Sequence, residues 1–121
     1  MIDHISLAVT DYEKSKTFYS AALAPIGYSV LMEFGEAAGF GAKGKADLWV
    51  AKVPEVGAIT HVAFLAENRA DVDAFYRAAL AAGGKDNGAP GLRPQYHENY
   101  YAAFVLDFDG HNVEVVCHKA E

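Results

Sequence analysis

The 121-residue chain has one cysteine, Cys117, so an internal disulfide is excluded. Its place in the strand-like run Val113-Glu114-Val115-Val116-Cys117 predicts a small buried side chain rather than a reactive thiol. No apolar run approaches the roughly 20 residues that a membrane-spanning helix needs. Nothing in the sequence reads as a targeting segment, since Met1 leads straight into an alternating apolar stretch with no basic flank, and none is expected. Basic residues are few and scattered, ten lysines and arginines within a net charge of −6, so nothing offers a phosphate backbone a basic stripe. These absences predict a cytoplasmic protein that binds neither nucleic acid nor membrane. What the chain does have is an apolar fraction of 52%. At this length that supports one domain, residues 1–121, with a core that holds without disulfide or metal.

The strongest positive signal is an internal repeat. His4 recurs as His61, Phe18-Tyr19 as Phe75-Tyr76, Ala21-Ala22-Leu23-Ala24 as Ala78-Ala79-Leu80-Ala81, and Gly27 as Gly84, every pair spaced by 57. In the first copy Ile5, Leu7 and Val9 alternate with His4, Ser6 and Ala8, the period of a strand with two unlike faces. Thr10 and Glu13 then form a capping-box pattern, and the helix stops before Pro25. In the second copy Val62 and Phe64 play the alternating part, Asn68 caps a helix with Asp71 in its first turn, and Gly83-Gly84 ends it.

Shorter strands follow each helix, over 28–33, 39–42 and 47–53, then over 101–106 and 113–117, with Asp109-Gly110 as a hairpin turn. The fold predicted is α+β: two βαβββ modules, about 1–57 and 58–121, related by a pseudo-twofold axis and forming an incomplete barrel with the helices outside.

Strand parity puts His4 opposite Ile5, Leu7 and Val9, and His61 opposite Val62 and Phe64, so the twofold would set both imidazoles on one concave wall. Glu114 is the only charge inside an apolar strand and needs a partner there. Two histidines and a carboxylate form a three-ligand set for a divalent metal with open positions. The competing reading makes the histidines duplicated packing residues.

With these residues in view, the chain resembles the vicinal oxygen chelate superfamily, which includes glyoxalase I, fosfomycin-resistance transferases, extradiol dioxygenases and bleomycin-resistance proteins. The resemblance rests on His4-Ile5-Ser6-Leu7-Ala8-Val9, the Phe18-Tyr19 helix, the second opening at His61, and the closing run Asp107-Phe108-Asp109-Gly110-His111-Asn112-Val113-Glu114. It implies His4, His61 and Glu114 as metal ligands, with iron, manganese, nickel or zinc as the ion. In glyoxalase I a fourth ligand comes from the matching strand of the first unit. Aligning Asp47-Leu48-Trp49-Val50 with Asn112-Val113-Glu114-Val115 puts Trp49 there, with Asp47 as the fallback carboxylate if the alignment slips. Tryptophan cannot ligate, which favours three-ligand chemistry and leaves Trp49 as a substrate contact. Phe108 stands where the family turn has proline, and Asp107 and Asp109 read as turn residues, since the oxygen-ligand spacing of a calcium loop is missing.

From Gly83 to Asn99 the glycines and prolines predict a long exposed connection with room for one short strand. Within and beyond it, His97 is the candidate acid-base group, Tyr101 a substrate contact and Arg93 a partner for a substrate carboxylate or phosphate. The alternative is a polar loop anchored by aromatic packing, with Arg93 simply solvated. His111 and His118 are expected to be exposed and without a role. The function implied is a metal-dependent enzyme, a homodimer in many relatives, acting on a small substrate with adjacent oxygens by dioxygenation, group transfer or lyase-type isomerisation. The rival is a metal-free small-molecule-binding protein like the bleomycin-resistance branch.

Overall fold

The alternating sequence at Ile5–Val9 forms strand β1, and helix α1 follows at Tyr12–Leu23, as the computed structural model, which describes residues 1–120, shows. A short 3-10 turn at Ala24–Ile26 accommodates Pro25 in its first turn and closes at Gly27. Three strands complete the first module: β2 (Ser29–Phe34), β3 (Ala37–Ala42) and β4 (Lys45–Lys52). The second module repeats the order with β5 (His61–Leu65), α2 (Arg69–Ala81), β6 (Lys85–Leu92), β7 (Tyr101–Leu106) and β8 (Asn112–Cys117). The sheets run β1-β4-β3-β2 and β5-β8-β7-β6, each with one parallel pair at the module's opening strand. The fold is therefore α+β in two modules, with open sheets rather than closed barrels.

The helices lie against one another, and a continuous apolar core draws on both modules. Phe18, Tyr19, Ala22 and Leu23 of α1 and Val72, Phe75 and Ala79 of α2 are fully buried. Each large side chain contributes about 1.5–3 kcal/mol by leaving water. Cys117 is buried among them, as its setting predicts. No helix among the described residues is long and apolar enough to cross a membrane.

Asn68 caps α2 as expected, its Oδ1 accepting from the amide of Asp71 at 2.8 Å. The first helix departs from its expected cap. It begins at Tyr12, so Asp11 stands at the N-cap and accepts from the amide of Lys14 at 3.1 Å. Thr10, freed from capping, donates its hydroxyl to Asp109 at 2.7 Å and so ties the first module to the β7–β8 turn of the second.

The connection expected over 83–99 holds one strand, longer than expected, over about half its length. β6 takes eight residues and pairs with β7 through two register shifts around Gly88. An edge strand tolerates Pro90 and several glycines because one of its sides needs no ladder hydrogen bonds, and bulges absorb the mismatch.

His111 is the other departure. It is 1% exposed, accepts the amide of Thr60 at Nδ1 (2.9 Å) and donates from Nε2 to the carbonyl of Ala8 (2.7 Å). The turn that carries it is held by Asp107, which accepts the hydroxyl of Tyr19 at 2.6 Å and the amides of Asp109 and His111. Phe108 packs edge-on against Phe18 and under the ammonium of Lys14, so it fastens the turn to α1.

Candidate functional site

Glu114 sits in the middle of β8, pointing to the face of the sheet opposite α2, and is 1% exposed. A carboxylate so placed must be hydrogen-bonded or paired. Nε2 of His61, on the neighbouring strand β5, lies 2.7 Å from Oε1, and the hydroxyl of Tyr100 donates to Oε2 at 2.5 Å. The His61 side chain is 55% exposed, so the pair joins a buried anchor to a solvent-facing imidazole. This is the clearest polar convergence on that face, and it unites two of the three expected ligands.

Tyr100 was not singled out by sequence reasoning. Burial and the adjacent carboxylate push its phenol up to about 12, so it is a donor throughout the neutral range. Tyr101 turns the other way and donates to Asp73 of α2 at 2.7 Å. The reason is parity: Tyr101 shares a face with Ala103 and Val105 of the core, whereas Tyr100 shares one with Ala102 and Phe104. The signal was faint because the strand Tyr101-Ala102-Ala103-Phe104-Val105-Leu106 is apolar on both faces.

His97 reaches this group indirectly. Its ring meets that of Tyr100 edge-on at 5.0 Å and stacks on His118 at 4.8 Å, while its Nδ1 bonds the carbonyl of Glu98 at 2.8 Å. Tyr96 also packs on Tyr100. The loop is thus anchored by aromatic packing, and His118 is part of the anchor. Arg93 lays its guanidinium over Phe104 at 5.2 Å, and that ring lies 6.2 Å from His61. Two of its nitrogens are taken by the carbonyls of Gly91 and Ala89. Arg93 therefore sits on the site's face, held by the end of β6 just before it and directed by the ring beneath it.

In the first module the register decides the alignment between the repeats. Ser6 pairs with Trp49 on the parallel β1–β4 ladder, and Ala63, its counterpart 57 residues on, pairs with Glu114 on β5–β8. Trp49 is therefore the structural equivalent of Glu114, without a slip. Its ring lies over Gly39, where a Cβ would come within 2.9 Å, and stacks on Phe34 at a tilt of 16°. His4 stands just ahead of β1, half exposed, its Nδ1 2.7 Å from Asp3, which Lys45 also pairs at 2.9 Å.

His4 does not meet His61 and Glu114 within one chain: among the described residues no three or more histidine, cysteine or acidic side chains could hold a metal ion together. The modules join through their helices and through a seam where Tyr28 packs on Phe64, an arrangement that does not bring the three expected ligands to one point.

A family profile described as the Glyoxalase/Bleomycin resistance protein/Dioxygenase superfamily matches residues 1–115. A search of curated proteins found no match. Solved structures with this fold include a glyoxalase/bleomycin resistance protein from Albidiferax ferrireducens, 22% identical over 97% of this chain and 98% of that one, with a TM-score of 0.83. A putative glyoxalase from Bacillus halodurans is 23% identical over 97% and 95%, TM-score 0.74. A mutant of the fosfomycin resistance protein FosX from Listeria monocytogenes, complexed with Mn(II) and 1S,2S-dihydroxypropylphosphonic acid, is 21% identical over 100% and 92%, TM-score 0.73.

Proposed function

Because the chain belongs to the Glyoxalase/Bleomycin resistance protein/Dioxygenase superfamily, we propose that it is a metal-dependent enzyme, working as a homodimer on a small substrate that presents adjacent oxygens. The observation that carries the reading is the meeting of His61 Nε2 and Glu114 Oε1 on a carboxylate that is otherwise buried. An imidazole nitrogen and a carboxylate oxygen suit iron, manganese, nickel or zinc. His4 is the third ligand and comes from a second copy of the chain, with Asp3 holding its Nδ1 and leaving Nε2 as the donor atom. The bound ion supplies a Lewis acid for the substrate oxygens.

The chain's own residues divide the remaining work. Tyr100 keeps its proton and orients Glu114, and His97 holds Tyr100 in place by ring contact. Arg93 offers its remaining donors to an anionic end of the substrate, the class to which the phosphonic acid held by the FosX relative belongs. Trp49 gives an aromatic wall and leaves the ligand set at three, which favours group transfer or dioxygenation over glyoxalase isomerisation. Tyr101 serves the fold through Asp73.

Complementation between variants tests this reading. His4→Ala and His61→Ala should each lose divalent metal binding, and a refolded mixture should regain it in part, because a mixed dimer contains one intact site. No recovery in mixed dimers would contradict a site shared between copies. A metal-free binding protein is the second reading, favoured by one observation: His61 and Tyr100 satisfy both oxygens of Glu114 without an ion. It predicts that neither variant changes any metal-linked property.

A further inference from the structure

At the seam between the modules lies an open cleft of about 360 Å³ that borders Asp3, the partner of His4, and runs along β5, but is lined by neither His61 nor Glu114. Its walls are mainly apolar, with Ile5 of β1 facing Val62, Phe64 and Leu65 of β5, and Tyr28 and Asp47 forming the polar end. The size is at the lower end of the range for small-molecule pockets.

Asp47 reaches this position through a break in the β3–β4 ladder. Phe40 pairs with Leu48, and the next pair is Gly41 with Ala46, so Asp47 is the extra residue of a bulge. Bulges turn a side chain from the face that strict alternation would give it. The bulge also demands glycine opposite, since a Cβ on Gly41 would fall 1.8 Å from the carbonyl oxygen of Lys45. Turned in this way, Asp47 accepts the hydroxyl of Tyr28 on Oδ2 at 3.0 Å, while Oδ1 is buried without a partner. Burial first, and the carboxylate second, hold the Tyr28 phenol far above its ordinary value. Asp3, the other acid of the cleft, is already paired with Lys45, whereas no described salt bridge involves Asp47. The cleft therefore has a greasy wall and one uncompensated negative charge.

We propose that this seam cleft is a second binding site, lined by none of the expected metal ligands, that takes a small organic ammonium: an apolar body against Ile5, Val62 and Phe64, and a protonated amine directed to Asp47. A cation there relieves the cost of an under-paired, half-buried carboxylate. A neutral isostere lacks that gain, and an anion is repelled.

The test uses the full chain in the presence of EDTA, so that the divalent-metal reading plays no part in it. Methyl NMR follows Ile5, Val62 and Leu65 during titration with phenethylammonium, 2-phenylethanol and phenylacetate. Saturable shifts at these methyls are expected with phenethylammonium, with affinity falling about tenfold or more for the alcohol and in Asp47→Asn. Leu65→Lys changes an exposed residue at the rim and should weaken the same binding even if Asp47→Asn folds poorly. The proposal is overturned if the ammonium does not saturate these methyls, if the alcohol binds as tightly, or if neither variant weakens binding.

Discussion

Nε2 of His61 lies 2.7 Å from Oε1 of Glu114, joining the exposed end of one strand to the most deeply buried carboxylate on the neighbouring strand. Removing the carboxylate should therefore act on stability as well as on metal binding. Glu114→Ala leaves the Tyr100 hydroxyl and His61 without their acceptor, at a cost of about 1–3 kcal/mol in urea unfolding of the metal-free protein. Glu114→Gln keeps an acceptor for Tyr100 and should recover much of that loss while binding divalent ions far more weakly.

Tyr100 should titrate late. Burial and Glu114 both favour its neutral form, so an ultraviolet difference titration should show a phenol near pH 12 that vanishes in Tyr100→Phe. In Glu114→Gln that phenol should ionise at lower pH. Because the folded value lies above the unfolded one of about 10, the stabilisation is present below pH 10 and fades as the pH rises toward 12.

The repeat, the two-module topology and the Asn68 cap were legible because each depends on local alternation or on spacing along the chain. The parity of β5 and β8 also placed His61 and Glu114 on one face, since Val62, Phe64, Val113 and Val115 mark the other. Tyr100 was missed because β7 is apolar on both faces, and His111 because its partners, Ala8 and Thr60, are backbone groups brought in from far along the chain. Pro90 and the glycines around it read as a loop, for sequence does not reveal that the segment lies at a sheet edge.

His111 should prove a structural residue of the first rank. His111→Ala removes two hydrogen bonds, one of which, to Ala8, bridges the modules, and opens a void beneath the turn, so we expect a loss of about 2–4 kcal/mol. Both modules should unfold in one transition, because the apolar core is continuous through them. A variant within about 0.5 kcal/mol of the wild type in urea unfolding would contradict this assignment.

Trp49 occupies the register position of Glu114 in the other repeat, so Trp49→Glu should place a carboxylate where relatives with four ligands carry one. Tighter binding of manganese or zinc than in the wild type is expected, read by competition with a fluorescent chelator. Trp49→Ala should leave metal affinity unchanged and cost stability modestly, through the lost contact with Phe34 and Gly39.

The most direct measurement is the metal content of protein purified without chelators, taken together with thermal unfolding during manganese and zinc titration. The account predicts one divalent ion per chain, a rise in unfolding temperature with added metal, and loss of both in His61→Ala. No stoichiometric metal in the wild type, and no shift in unfolding temperature with either ion, would contradict it.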